Sequence, residues 1–89
     1  MTERTVTTAR ALHARPASQI VKAAGGFDAQ VRLQAGDKAA DARSVLALMR
    51  MGVAAGVAVT VRATGAEAET ALEAVVRELT SPEERTEAP

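Results

Sequence analysis

The chain has 89 residues, 47% of them hydrophobic, which suits one folded domain and leaves no room for a second. It has no cysteine and one histidine, which excludes disulfide frameworks, thiolate chemistry, Cys-type zinc sites and paired-histidine metal sites. The net charge is zero and Phe27 is the only aromatic residue, which argues against a general nucleic-acid binder.

Residues 3–8 are rich in β-branched side chains and predict a first strand. Ala17, Ile20, Val21 and Ala24 then fall at the i, i+3, i+4, i+7 spacing of one helical face, and Gly25-Gly26 ends that helix. Ala29, Val31, Leu33 and Ala35 alternate with polar residues as a half-buried strand. Gly36-Asp37 turns the chain, and residues 38–42 return as a short second arm. Ser44 to Met51 suits a two-turn helix with Ser44 as its N-cap. After Gly56, the alternation of Val57, Val59, Val61 and Ala63 predicts a fourth strand. Ala68, Ala71, Leu72, Val75, Val76 and Leu79 form the stripe of a last helix, with Glu73 placed to pair with Arg77. Ser81-Pro82 ends it. One domain is expected over residues 1–82, with a solvated, flexible acidic tail over 83–89.

The order β-α-β-β-α-β-α, with strands that alternate inside and out, predicts a sheet with one face covered by helices, an open sandwich. Alanine supplies 21 of the 89 residues, so the core is thin and its layers pack close. There is no apolar run of 18 residues and no charged-then-apolar leader, and a cytoplasmic protein without membrane insertion is expected. The zero net charge conceals a split. Residues 1–62 carry nine basic and four acidic side chains, and residues 63–89 carry two and seven. Charge alone leaves two readings open: an acidic last helix and tail, or a positive front for an anion or acidic partner.

There is no phosphate loop, no Ser-His-Asp set and no carboxylate pair suited to acid–base work. His13 is the exception. It precedes Ala14-Arg15-Pro16, and proline is at home in the first turn of a helix. His13 therefore stands at a helix N-terminus, beside the free N–H groups of Ala14 and Arg15, where anions are favoured. Arg15 adds a guanidinium fork suited to phosphate oxygens. A nucleophile with an anion cradle and no base to position water fits a carrier better than a hydrolase. The plainer alternative is that His13 only caps the helix and Arg15 is surface charge.

Leu12-His13-Ala14-Arg15-Pro16-Ala17 resembles the active-site signature of HPr, the histidine-containing phosphocarrier protein of the phosphoenolpyruvate:sugar phosphotransferase system. The resemblance extends over about residues 3–80, through Phe27, the Val31/Leu33 strand, Arg43-Ser44-Val45-Leu46, Met51-Gly52, Gly56 and Gly65. It implies an α+β open-faced β-sandwich, a four-stranded antiparallel sheet covered on one face by three helices. It implies that His13 takes a phosphoryl group from phospho-enzyme I, on Nδ1, and passes it to EIIA proteins during sugar uptake, with no cofactor or metal. Ala14 and Arg15 would hold the phosphate. Ser18, Val45, Leu46 and Met49 would form the docking patch, with Lys22 and Arg43 as its basic rim. Ser44 coincides with the serine modified by HPr kinase/phosphorylase in some bacteria, and a monomer is expected.

Three positions depart from the family pattern: Ala11 replaces the usual glycine, Ala55 stands where a basic residue is common, and Arg50 adds a charge. Two alternatives accompany the carrier reading. One is a regulatory module working through Ser44, against which the intact His13/Arg15 pair counts. The other is a carrier in a nitrogen-related or dihydroxyacetone-kinase branch.

Overall fold

The alternation of inward and outward side chains becomes four strands in the computed structural model, which describes residues 1–82. The tail expected over 83–89 lies outside the described residues. The strands are β1 (Thr2–Thr7), β2 (Gln30–Ala35), β3 (Lys38–Asp41) and β4 (Ala58–Thr64). The helices are α1 (Ala14–Gly25), α2 (Val45–Arg50) and α3 (Ala68–Thr80), so the chain runs β-α-β-β-α-β-α as expected.

All strand pairs are antiparallel and the sheet order is β1-β4-β2-β3. Only β2 and β3 form a hairpin. The last strand in sequence, β4, lies between β1 and β2, with Val6 opposite Val59 and Leu33 opposite Val61. Val31, Leu33, Val59, Val61 and Ala63 face inward and are fully or almost fully buried, while Gln30, Arg32, Gln34 and Arg62 face out. This is period-two amphipathicity with one dry face.

The helices cover that dry face. Helix α3 packs on β1, β4 and β2, α1 lies against α3 and α2, and α2 contacts β3. Ile20 of α1, Leu48 of α2 and Leu72 of α3 are almost completely buried between the layers. Each such side chain contributes roughly 1.5–3 kcal/mol relative to exposure.

Two boundaries differ from the sequence reading. β1 ends at Thr7, and Thr8 is buried as a polar residue just past the strand. Val57 precedes β4 rather than opening it, because its carbonyl accepts the Thr8 N–H in a loop contact. The expected Glu73–Arg77 pair is replaced by a longer-range one. Glu73 takes both terminal nitrogens of Arg4, at 2.6 and 3.1 Å, fastening α3 to the edge strand β1. The Arg4 fork meets the carboxylate with one nitrogen on each oxygen, the bidentate arrangement that makes such pairs strong.

Gly65 opens the turn into α3 at φ +124°, a conformation that side chains rarely adopt. A Cβ there would stand 2.9 Å from the Ala29 Cα and 3.0 Å from the Asp28 carbonyl oxygen. The turn and the start of β2 are therefore in backbone contact, reinforced by the Glu67 N–H to Asp28 O bond at 2.9 Å and the Asp28 N–H to Glu67 Oε1 bond at 2.7 Å.

Candidate functional site

The segment leading from β1 towards α1, residues 8–12, is short and firmly anchored. Thr8 bonds through its N–H to Val57 O (2.9 Å), through its carbonyl to the Gly56 N–H (2.8 Å) and through its hydroxyl to Ala54 O (3.0 Å). The Ala9 N–H donates to Leu79 O at the end of α3, and the buried Leu12 donates to Val53 O. Arg10 Nη2 donates to Gln19 Oε1 at 3.0 Å, while its Nε and Nη1 are buried with no acceptor. Ala11 stands in for a glycine without strain, since no described residue other than glycine has positive φ.

His13 follows this anchored segment as the N-cap of α1, with extended backbone (φ −81°, ψ −170°). Its carbonyl accepts the Ala17 N–H at 3.0 Å. Its imidazole is exposed and makes no capping hydrogen bond, so the fold makes no use of the ring there. Of the first-turn residues, Pro16 has no N–H. The N–H groups of Ala14 and Arg15 bond to nothing in the loops or caps, as expected of a helix start. No acidic side chain occupies the first turn. The positive end of the helix is thus uncompensated, and Arg15 extends it into solvent.

Two shallow depressions adjoin the histidine. One, lined by Ala11, Leu12, His13, Met49 and the stretch Gly52 to Ala54, places the end of α2 beside His13. The other runs along α1 between Arg15, Ser18, Gln19, Val21 and Lys22. Among the described residues, Leu46 and Met49 on α2 are the large apolar side chains left exposed besides Met1, at 57% and 39%. Val45 is half-buried against the core. The structure thus gathers His13 with Met49, and Arg15 with Ser18 and Lys22. Arg43 reaches elsewhere: its Nη2 donates to Ala29 O at 3.3 Å, on the segment between α1 and β2. Ser44 is the N-cap of α2, its Oγ accepting the Ala47 N–H at 3.0 Å.

The sequence reading did not include Gly52, Val53, Ala54 and Gln19 among the residues of the site. Gly52, with φ +66°, was a turn signal, but nothing in its neighbours' spacing indicated which turn they would face. Among the described residues no three His, Cys, Asp or Glu side chains cluster as metal ligands, and no helix is long and apolar enough to cross a membrane.

An open-faced sandwich presenting a free imidazole beside unspent backbone donors defines a small domain suited to carrying an anionic group. A family model described as "PTS HPr component phosphorylation site" matches residues 2–81, and the chain belongs to this HPr phosphocarrier family. It is 39% identical over 71 residues to the phosphocarrier protein HPr of Vibrio cholerae, covering 80% of this chain and 84% of that one. It is 42% identical over 84 residues to a multiphosphoryl transfer protein of Xanthomonas campestris pv. campestris, covering 91% of this chain. There it spans only 10% of the relative's length. Among solved structures, HPr of Bacillus anthracis superposes with a TM-score of 0.83 at 28% identity, covering 89% of this chain and 96% of that one. HPr-C-His of Thermoanaerobacter tengcongensis gives 0.82 at 33%, covering 89% and 91%.

Proposed function

We propose that the protein is a cytoplasmic, monomeric phosphoryl carrier of the phosphoenolpyruvate:sugar phosphotransferase system, charged by phospho-enzyme I on His13 and discharged to EIIA proteins. The observation that supports this most directly is the exposed His13 ring at the helix start, free of any structural hydrogen bond. In the tautomer protonated on Nε2, the Nδ1 lone pair attacks phosphorus as the bond from phosphorus to the donor breaks. The N–H groups of Ala14 and Arg15 receive the phosphoryl oxygens, and the Arg15 guanidinium offsets their charge. The discharge step reverses the geometry, with the acceptor as nucleophile.

Docking falls to Leu46, Met49, Val45 and Ser18, of which Met49 lines the depression beside His13 and Ser18 the one beside Arg15, with Lys22 as the rim cation for an acidic partner. Arg43, engaged with the Ala29 carbonyl, contributes less to that rim. Ser44 can be modified by an HPr kinase/phosphorylase where the host has one. Its oxygen serves the helix cap while its hydroxyl proton stays uncommitted, so capping and modification are compatible.

The test is phosphorylation by purified enzyme I and phosphoenolpyruvate. Wild type should acquire one acid-labile phosphoryl group, and His13→Ala none, with a melting temperature within about a degree of wild type because the ring supports no fold contact. Normal labelling of His13→Ala would overturn the assignment.

A further inference from the structure

The face of the sheet that no helix covers carries a separate charge pattern. Glu3 lies opposite Arg62, Arg62 opposite Arg32, and Arg32 opposite Asp41. One transverse row therefore crosses all four strands as acid, base, base, acid, with both arginines on the central strands β4 and β2. Like charges directly opposite one another in an antiparallel pair are unfavourable. The flanking acids only partly relieve this. Glu3 takes the Nε–H of Arg62 at 3.1 Å and leaves its two terminal nitrogens unused. Asp41 turns its Oδ1 to the Arg43 N–H at 2.9 Å, and among the described residues no acceptor engages the Arg32 guanidinium.

The two arginines border a small hollow completed by Leu33, Gln34, Ala39 and Thr60. Ala39, opposite Gln34, leaves space that a larger side chain would fill. The Thr60 hydroxyl, 2.8 Å from that of Thr5, can donate either to it or into the hollow.

We propose that Arg32 and Arg62 bind a phosphate group on this open face, as inorganic phosphate or the end of a small phosphomonoester. Two guanidinium forks side by side suit a tetrahedral oxyanion, which has enough oxygens to engage both, whereas a carboxylate saturates one fork. The anion also cancels the repulsion between the arginines, so the cost of placing them together is recovered on binding. Glu3 and Asp41 at the ends of the row confine the positive field to the central strands. The site is shallow and wet, so binding is weak, about millimolar. It lies on the face opposite α1 and is independent of His13.

The experiment is a titration of the full ¹⁵N-labelled chain with inorganic phosphate at fixed ionic strength, sodium chloride serving as control. Saturable amide shifts at Arg32, Gln34, Thr60 and Arg62 are expected. Arg32→Gln and Arg62→Gln should each weaken them at least about tenfold, while Arg15→Ala leaves them unchanged. Phosphate should raise the melting temperature of wild type more than that of Arg32→Gln, which should melt at or above wild type without phosphate because the opposed charge is gone. Repeating the titration with glycerol 3-phosphate identifies which source binds more tightly. Shifts confined to residues 14–17, an equal response to chloride, or an undiminished response in Arg32→Gln would overturn the proposal.

Discussion

The N–H of Leu12 donates to the carbonyl of Val53 at 3.0 Å, joining the residue before the histidine to the loop that leaves α2. Through that bond the ring and the apolar end of α2 become one surface, although they are 36 residues apart at His13 and Met49. Thr8 secures the same loop from below, with its hydroxyl on Ala54 and its carbonyl on Gly56.

Thr8→Val keeps the shape and deletes the hydroxyl, leaving the Ala54 carbonyl without its donor. A loss of about 1–2 kcal/mol in stability is expected from denaturant unfolding. Faster amide exchange at Leu12 and Gly56 should accompany it, with phosphorylation of His13 slowed severalfold because the loop beside the ring loosens.

Arg15→Ala separates chemistry from docking. Its charge is used mainly while the phosphoryl group is in transit, so the transfer rate should fall about 10²-fold and affinity for enzyme I less than tenfold. Rapid-quench rates and a binding titration on the same variant check this. Equal losses would make Arg15 a docking residue.

Ser44→Asp tests the cap and the docking patch together. Aspartate caps as well as serine and suits the positive helix start, so stability should stay within about 0.5 kcal/mol of wild type or rise. The same charge beside Val45, Leu46 and Met49 must be desolvated when a partner docks, so charging of His13 should slow about tenfold or more. Melting and transfer measured on one sample decide it, and an untouched rate would displace the patch.

The Arg4 guanidinium, by hydrogen bonding and then by its charge, holds the Glu73 carboxyl below its ordinary value of 4.5. A carboxyl depressed by folding stabilises the protein above its unfolded value, and that contribution is lost as pH falls through the folded one. The acid limb of the stability curve should therefore be shallower in Glu73→Gln and in Arg4→Gln, with no difference in slope near neutrality. Both partners are exposed, so added salt should shrink the effect.

Short-range periodicity carried most of the fold. The α3 stripe, the alternation in β4 and the Ser44 cap are each written within a dozen residues, and the structure reproduces them. Strand order is another matter, because alternation says which way Val59 faces and nothing about its neighbour Val6. The Arg4–Glu73 bond is hidden for the same reason: a helical i, i+4 partner is visible in sequence, and a partner 69 residues away is not. At the candidate site, the residues of the His13 motif were legible because a helix start imposes local rules on proline and on free N–H groups. Gly52, Val53 and Ala54 come to line the depression beside His13 through the tertiary hydrogen bonds of Leu12 and Thr8 to Val53 and Ala54, which leave no local pattern.

Among the described residues, eight of the twenty buried apolar ones are alanines: Ala17, Ala24, Ala29, Ala40, Ala42, Ala63, Ala68 and Ala71. Every alanine codon begins GC, so a single-nucleotide change yields valine, threonine, serine, proline, aspartate, glutamate or glycine, and all but glycine add atoms. At Ala17, Ala42, Ala63 and Ala71, which have no exposed surface, those atoms have nowhere to go without displacing a neighbour. Genetic drift therefore meets this core as a ceiling on volume. Its interior positions should change slowly, and mostly in compensated pairs.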